Sequence, residues 1–555
     1  MKFFENENRL IVVLILFSAF LFLIGLGAMP LTDPDESFYA ETAREMLNRH
    51  EFLTPYIFGE PQFEKPPLYY WAVIFGFMIF GIGEFSARFG SAVFGILGVI
   101  GVYFLGKILV NKRTGFFAGI TLATSVMYLA LSRACVTDIA LCVFMLYAFL
   151  FFFYGYFTEN ARPGRAKWFL LSAVFLGLAV LTKGPVALFL PFVIVGIYLA
   201  ITKSRGGLNL RYLLYSAIAF LAVAAPWYFL MHKAHGKEFI DVFFGFHNVT
   251  RFLEPEHTVG DVFYYYIPIV IFGFLPWSIF LPLGTWQGFR EKEPRIRKAN
   301  LFLLIWILVI FIFFSLSRSK LPTYIFPLFP ALAVLVGRLW DALLDKRLSK
   351  KQDIVLNISL FLLLGLLVAS AIGLYVVAKL KYPTVINISL ETAIICIVSM
   401  SAFCALMLKR KYMIGITVFM ASFAILVLPL SYSILPEIGR YESSKEISAE
   451  LAKVIKPSDK VGGETDYARG IAFYTGREDV IDVHPHDVLI KLLVKRERAW
   501  CVIKEKNHIQ LYTNTKAPYR QPTYVVYKFG KKVIITNKVP PDGKFLKKRD
   551  MNEYR

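Results

Sequence analysis

Long uninterrupted apolar runs constrain this chain more than any other feature of its sequence. A helix rises about 1.5 Å per residue, so about 20 apolar residues cross the hydrocarbon core of a bilayer. The first such run covers residues 10–29, and no small-residue cleavage site follows it. Only 18% of the 555 residues are charged and 57% are hydrophobic, which is unlike a soluble domain. The sequence therefore predicts a membrane protein that retains its first helix.

Twelve further runs of similar length predict an all-α polytopic membrane domain, residues 1–439, with thirteen crossings in total. These runs cover residues 84–106, 114–131, 138–157, 168–182, 184–201, 212–231, 263–286, 299–316, 322–341, 354–378, 391–408 and 413–435. Two neighbouring runs are short and meet at "LTKGP", so a single re-entrant hairpin is the alternative there.

Lysine and arginine gather in alternate connections between these runs. The basic connections are residues 107–113, 161–167, 203–211, 290–298, 345–351 and 409–411. By the positive-inside rule, they face the cytoplasm, as does the N-terminal tail. The acid-rich loop of residues 31–47 then faces outward. Because the number of crossings is odd, residues 440–555 face outward too.

The polar tail of residues 440–555 alternates helix-like and strand-like segments. "SKEISAELAKVI" has helical spacing, "DKVGGE", "DVIDV" and "AWCVIK" resemble short strands, and "YVVYKFGKKVIIT" indicates a hairpin. We therefore predict a small soluble α/β domain. Its 24 Lys and Arg against 15 Asp and Glu would favour an anionic surface such as lipid phosphates, although a merely soluble basic domain fits equally well.

Ionisable residues gather in the loops predicted to face outward. These loops contain "DPDESFYAE", "FEKPPLYYW", "SRACVTD", "LTKGP", "FHNVTRFLEPEH" and "SRSKLPTYIFP". Charges at the ends of membrane helices are expensive to desolvate, so such a gathering predicts a functional site. The chain contains neither a GxxxxGK[ST] nor a GxGxxG phosphate loop, so no nucleotide is predicted, and no nucleic-acid partner either.

Two interpretations compete for the acids of "LTDPDESFYAETAREML", residues 31–47. Asp33 or Asp35 can cap an interfacial helix that begins near Glu36, with apolar side chains on one side and Glu41 and Glu45 on another. The adjacent Asp35 and Glu36 favour a functional role instead. Two neighbouring carboxylates repel each other, so either the pKa of one of them is raised or a cation binds beside them.

The basic and histidine residues of the outer loops also allow two interpretations. Lys65 can extend to the head groups from a short helix that begins after two prolines, or it can bind a phosphate. Arg251 would be a second phosphate ligand, with a planar fork suited to phosphate oxygens. His247 and His257 are metal-ligand types, although a single loop histidine is more often solvated.

The order of these motifs resembles the polyprenyl-phosphate-dependent membrane glycosyltransferases. It is most similar to the lipid A aminoarabinose transferases, glycosyltransferase family 83, which are relatives of the protein O-mannosyltransferases. The resemblance covers residues 10–345 in order and spacing. It implies a GT-C fold with a periplasmic active site and a lipid-linked sugar donor.

The resemblance also implies roles for individual residues. Asp35 and Asp138 match the family's catalytic acids, and Glu36 is predicted beside them. The residues that match donor-phosphate binders are Lys65 and Arg251, with Tyr324 near the donor. The residues that match ligands of a divalent metal, Zn, Mg or Mn, are Glu64 and His247, with His257 as a further candidate.

The expected reaction transfers 4-amino-4-deoxy-L-arabinose from undecaprenyl phosphate to lipid A. A lipid A phosphate is already ionised and needs no base, whereas a glycan or protein hydroxyl would need a carboxylate such as Asp35. Another sugar or a hydroxyl acceptor therefore remains the alternative. A lipid-linked sugar transporter would show inverted repeats and charges at mid-membrane depth. A non-enzymatic scaffold protein would not explain the charged residues that gather in these outward loops.

Overall fold

The structure is a computed structural model that describes residues 2–157, 165–203, 210–250, 262–484, 486–513, 519 and 521–549, without the side chains of residues 2 and 246–250. Its contacts separate two compact units. The helical unit comprises Met1–Leu26, Phe63–Tyr69 and Arg88–Leu430. The sheet unit comprises Gly27–Gln62, Tyr70–Ala87 and Ser431–Arg555. A domain boundary near residue 440 stays a prediction.

Helices form most of the described chain. Those before residue 250 are α1 (Glu7–Leu23), α2 (Asp35–Asn48), α3 (Leu68–Phe80), α4 (Glu84–Leu109), α5 (Lys112–Ala123), α6 (Val126–Leu131), α7 (Thr137–Phe157), α8 (Arg165–Lys183), α9 (Val186–Thr202) and α10 (Leu210–Phe239), with a π-helical segment at Ile240–Thr250. Those after it are α11 (Tyr266–Gly273), α12 (Leu281–Phe289), α13 (Pro294–Leu316), α14 (Phe329–Leu344), α15 (Lys350–Lys381), α16 (Ile386–Leu408), α17 (Tyr412–Pro429), α18 (Leu435–Glu442), α19 (Lys445–Val454), α20 (Thr465–Thr475), α21 (His486–Leu493) and α22 (Glu505–Thr513). Short 3₁₀ segments cover Lys2–Phe4, Trp277–Phe280, Pro322–Leu328 and Pro383–Val385, and a second π segment covers Leu430–Ile434.

Nine helical segments of the described residues are long and apolar enough to cross a membrane. They are Glu84–Leu109, Thr137–Phe157, Arg165–Lys183, Leu210–Gly245, Pro294–Leu316, Pro322–Leu344, Lys350–Lys381, Pro383–Leu408 and Tyr412–Glu442. A pair bent by 105°, Tyr266–Gly273 and Trp277–Phe289, would be a tenth. The chain is thus a multi-pass membrane protein, but the predicted thirteen crossings are not confirmed.

Short and interrupted helices account for the lower number, since α1 and α9 have only 17 residues each. The predicted run 114–131 is interrupted between α5 and α6, where the Thr124 hydroxyl accepts a hydrogen bond from Trp277 Nε1 at 2.9 Å. Such side-chain bonds compensate for helix hydrogen bonds lost within a membrane protein. At the predicted hairpin, Gly184 joins α8 and α9 with a φ of 85°, which L side chains rarely adopt.

The sheet unit contains a six-stranded mixed sheet. Its strands are β3 (Lys460–Gly463), β4 (Ile481–Asp482), β5 (Ala499–Lys504), β6 (Thr523–Phe529), β7 (Lys532–Thr536) and β8 (Lys547–Arg549), while β1 (Tyr56–Ile57) and β2 (Glu60–Pro61) form a separate two-stranded sheet. The strand order is β4-β3-β5-β7-β6-β8. The first three strands pair in parallel, and β6 and β7 form the predicted antiparallel hairpin.

The side chains of β5 point alternately to the two faces of this sheet, and they are buried on both. Trp500 and Val502 lie in a core cluster with residues of α19 and α20. Cys501 and Ile503 lie in a second cluster with residues of α21 and α22. Because successive strand residues point to opposite faces, an apolar strand of this kind requires cover on both sides. The sheet predicted for the tail is therefore present.

Within the helical unit, close contact between α5 and α14 depends on a small residue. A Cβ atom added at Gly337 would lie 2.5 Å from the Ala118 nitrogen and 2.7 Å from the Thr114 carbonyl oxygen. Both atoms belong to backbone, which cannot rotate away as a flexible side chain can. Small residues at such positions let membrane helices approach closely.

We expect Gly337→Ala to lower the thermal midpoint of the purified protein, because the added methyl group forces α5 and α14 apart. The matched control is Gly365→Ala in α15, where an added Cβ would meet no atom within 4 Å. That control should hold or raise the midpoint, since alanine favours a helix over glycine by about 1 kcal/mol. Equal midpoints for the two variants would contradict the proposed contact.

Candidate functional site

An ion pair joins two helix ends in the helical unit. Asp138 is the second residue of α7, and Lys183 is the last residue of α8. The Lys183 Nζ donates to Asp138 Oδ1 at 2.6 Å, and their side chains are 15% and 11% exposed. The predicted catalytic acid therefore has a cationic partner that shields much of its charge. A pair so poorly solvated requires both members, because either one left alone would be a nearly buried charge.

The segment around Tyr324 lies against the same lysine. The Lys183 Nζ lies 5.3 Å from the centroid of the Tyr324 ring, within the range of a cation–π contact. The ring also packs against Phe314 at 5.3 Å between centroids. Nearby, the Tyr266 hydroxyl donates to the Leu321 carbonyl oxygen at 3.2 Å. Lys183 thus contacts both Asp138 and Tyr324 in the structure. The sequence analysis did not predict a specific role for this lysine.

Lys65 and Glu64 form a second ion pair of the helical unit. Their Nζ and Oε1 atoms are 3.3 Å apart, and the side chains are 15% and 25% exposed. Pro66 and Pro67 follow, and α3 begins at Leu68, as the sequence predicted. Because the Lys65 ammonium group is poorly solvated, it requires an anionic partner. A phosphate oxygen can take the place of the Glu64 carboxylate in that role.

The remaining predicted residues of this group lie outside the described part of the chain. Arg251 and His257 belong to residues 251–261, and the side chain of His247 is likewise not described. Among the described residues, no three His, Cys, Asp or Glu side chains could jointly hold a metal ion. Glu64, the one described member of the predicted metal set, pairs with Lys65 instead. The metal therefore stays a prediction, and no chemical step is derived from it.

The acids of the opening stretch belong to the sheet unit, where they differ sharply in environment. Asp35, the first residue of α2, is exposed. Glu36 is 4% exposed, and its Oε2 accepts hydrogen bonds from the Thr32 nitrogen at 3.0 Å and the Thr32 hydroxyl at 2.9 Å. Pro34 occupies the N-cap position and makes no side-chain capping bond, so the predicted aspartate cap is not formed.

The later acids of α2 are buried and hydrogen-bonded. Both oxygens of Glu41 accept from the Arg44 guanidinium at 2.7 Å, and burial raises the pKa of Glu41 to about 7. Arg44 also donates to the Gly476 carbonyl oxygen at 3.3 Å. Glu45 accepts from the backbone nitrogens of Phe58 and Gly59 at 2.6 and 3.0 Å.

The predicted interfacial helix is therefore wrong for α2. An interfacial helix would expose its polar face to water, whereas the residues from Glu36 to Met46 are all buried. Glu41 and Glu45 instead accept hydrogen bonds from an arginine and from backbone N–H groups inside the sheet unit. The helical spacing of α2 could not reveal the contact between Arg44 and Gly476, because these residues are 432 positions apart.

Comparison with known proteins identifies the family. The profile of the dolichyl-phosphate-mannose-protein mannosyltransferases matches residues 64–229. An undecaprenyl phosphate-alpha-4-amino-4-deoxy-L-arabinose arabinosyl transferase from Pectobacterium atrosepticum is 30% identical over 484 residues, which are 82% of this chain and 86% of that protein. The chain belongs to this arabinosyl transferase family. It is accordingly a membrane glycosyltransferase related to the O-mannosyltransferases, as the motif order indicated.

Solved structures agree with membership of the arabinosyl transferase family. ArnT from Cupriavidus metallidurans, crystallised with undecaprenyl phosphate, is 25% identical and superimposes with a TM-score of 0.78 over 95% of this chain and 98% of that one. The archaeal oligosaccharyltransferase AglB from Archaeoglobus fulgidus is 14% identical and superimposes with a TM-score of 0.55 over 95% of this chain and 74% of that one. The second likeness concerns the fold alone and places the chain among GT-C proteins.

We expect Asp138→Asn and Lys183→Met each to lower the thermal midpoint, because each leaves one poorly solvated charge without its partner. The double variant should recover much of the midpoint, since neither charge remains. Transfer activity should stay at least tenfold reduced in Asp138→Asn and in the double variant if the carboxylate also acts in the reaction.

The matched control is Arg410→Gln, which breaks a more exposed pair with Asp353, 2.9 Å apart. An exposed pair contributes below about 1 kcal/mol, so this variant should behave like the wild type. A double variant with normal transfer would show that the Asp138–Lys183 pair has no part in the reaction.

Proposed function

We propose that this chain transfers 4-amino-4-deoxy-L-arabinose from undecaprenyl phosphate to lipid A or a related envelope acceptor. The similarity to arabinosyl transferases over 82% of the chain supports this proposal. The basic and acidic residues that match the family motifs support it as well. The ArnT structure with undecaprenyl phosphate supports the same donor.

The donor would leave a polyprenyl phosphate as the sugar departs. Negative charge then grows on the phosphate oxygens, and fixed cations in a poorly solvated site stabilise it. Lys65 has the required low exposure, and its Glu64 partner holds the ammonium group in place before the donor arrives. We propose Arg251 as the second cation, with Tyr324 beside the donor.

The tail of the donor would need an apolar binding surface. The helical unit contains an apolar cavity of about 250 Å³. Its lining residues are Ile267, Val270, Ile271, Leu281, Thr285, Leu304, Ile307, Phe311, Leu328, Leu332 and Leu335. Leu328 ends the 3₁₀ segment that contains Tyr324. A hydrocarbon chain in this cavity would therefore lie on the same structural element as the tyrosine.

The carboxylates would act on the sugar and the acceptor. An acceptor phosphate is ionised near neutral pH, so the reaction needs no general base. Asp35 and Asp138 would then stabilise positive charge that develops on the sugar ring, or orient the acceptor. Glu36, hydrogen-bonded to Thr32, would hold the segment that carries Asp35. With a hydroxyl acceptor, Asp35 would instead take the hydroxyl proton.

The orientation in the membrane is part of the proposal. The basic connections support a cytoplasmic N-terminus, and we infer that residues 31–47 and 440–555 face the periplasm. Cysteines at the exposed positions Glu60 and Lys538 should react with a membrane-impermeant thiol reagent in intact spheroplasts. Cysteines at the exposed positions Glu293 and Lys350 should not react. Labelling at Glu293 would contradict this orientation.

The function is tested by transfer in a reconstituted system. Purified protein in liposomes, supplied with undecaprenyl phosphate-linked aminoarabinose and lipid A, should add the mass of the sugar to lipid A. Lys65→Met should reduce transfer about ten- to a hundred-fold at limiting donor, because a charge-assisted contact contributes about 1.5 to 3 kcal/mol.

The matched control is Lys298→Met, which removes an exposed lysine of a basic connection and should leave transfer unchanged. Sugar transfer to a glycan or peptide hydroxyl, with none to lipid A, would favour the alternative acceptor. No transfer from the undecaprenyl donor to any acceptor would contradict the proposal.

A further inference from the structure

The segment that carries Asp35 is attached to a distant part of the sheet unit. The Asp33 backbone nitrogen donates to the Glu442 carbonyl oxygen at 3.0 Å, and the Leu31 nitrogen donates to the Tyr474 hydroxyl at 2.8 Å. Three residues after Asp35, the Phe38 ring lies against the Arg469 guanidinium, whose carbon is 4.6 Å from the ring centroid. These contacts fix the backbone on both sides of Asp35.

The Asp33 carboxylate is the centre of this attachment. Its Oδ2 accepts a hydrogen bond from the Ser444 hydroxyl at 2.5 Å, and its Oδ1 accepts from the Ser37 hydroxyl at 2.8 Å. The charge of Lys532 acts on the same carboxylate, and the Lys532 Nζ donates to the Ser443 carbonyl oxygen. Burial nevertheless raises the pKa of Asp33 to about 7.

A glycine of α20 makes room for this carboxylate. A Cβ atom added at Gly470 would lie 2.3 Å from Asp33 Oδ1 and 2.9 Å from Ser444 Cβ. The Asp33 carboxylate therefore packs closely against both α20 and the start of α19, which lie next to each other there.

We propose that Ser444 and Gly470 are positioning residues for the reaction, because they hold Asp33 and thereby fix the Asp35 carboxylate two residues away. This inference rests on the proposed role of Asp35. A reacting group must be held within about 0.5 Å of its productive position, and the supporting hydrogen bonds accomplish that. Residues 440–555 would thus contribute to the reaction without contacting the substrate.

The structure offers a matched pair of variants. Ser444→Ala removes the hydroxyl that donates to Asp33. Ser448→Ala, one turn further along α19, removes a buried hydroxyl that makes no hydrogen bond among the described residues. We expect Ser444→Ala to lower kcat about tenfold and leave the KM for the donor unchanged, whereas Ser448→Ala stays within twofold of the wild type.

Combining Ser444→Ala with Asp35→Asn distinguishes a positioning role of Ser444 from an effect on protein stability. If Ser444 acts through Asp35, Ser444→Ala should reduce the residual activity of Asp35→Asn by less than twofold. A further tenfold loss in that background would overturn the inference, since the hydroxyl would then act independently of Asp35. Normal kcat in Ser444→Ala, or an equal loss in Ser448→Ala, would overturn it too.

Gly470→Ala provides a second perturbation of Asp33, made from α20. It should lower kcat with little change in KM, and it keeps the test available if Ser444→Ala fails to fold. Full activity in a folded Gly470→Ala protein would contradict the inference. Failure of the proposed role itself is distinguishable, because Asp35→Asn alone would then transfer sugar at the wild-type rate.

Discussion

The cost of removing charge from water governs this molecule more than any other constraint. Moving an ion into a poorly hydrated interior costs several kcal/mol, which only a close partner with good geometry can offset. The Asp138–Lys183 and Glu41–Arg44 pairs show this solution at 2.6 and 2.7 Å. The Asp138–Lys183 pair also joins α7 to α8, so the interaction that makes these charges tolerable also builds the surroundings of the predicted site.

The sequence predicts what depends on neighbouring residues. Helices such as Thr137–Phe157 follow from continuous apolar runs, and "AWCVIK" predicts the short strand β5. The number of crossings could not be predicted, because an apolar run does not reveal a break such as the one at Thr124. The hydroxyl of Thr124 accepts a hydrogen bond from Trp277, 153 residues away, which local sequence cannot show.

The candidate site shows the same division between local and distant information. Lys65 and Asp138 could be selected from their motifs, because charge at the end of an apolar run is itself a signal. The roles of Asp33 and Ser444 could not, since their contact spans 411 residues and involves residue types that are common at helix starts. The helical spacing of α2 was equally ambiguous: the same pattern suits an interfacial helix and one buried inside a folded unit.

The carboxylates of the predicted site differ from the structural ones in how fully their oxygens are already occupied. Glu41 and Glu45 are buried and have their oxygens occupied by arginine or backbone donors, so little capacity remains for a substrate. Asp35 is exposed at the first residue of α2, where the helix dipole favours a negative charge. Asp138 lies between these cases, since its side chain is 11% exposed and its Oδ1 accepts from Lys183. The donors that occupy a carboxylate therefore separate the acids of the fold from the acids proposed to act better than burial alone does.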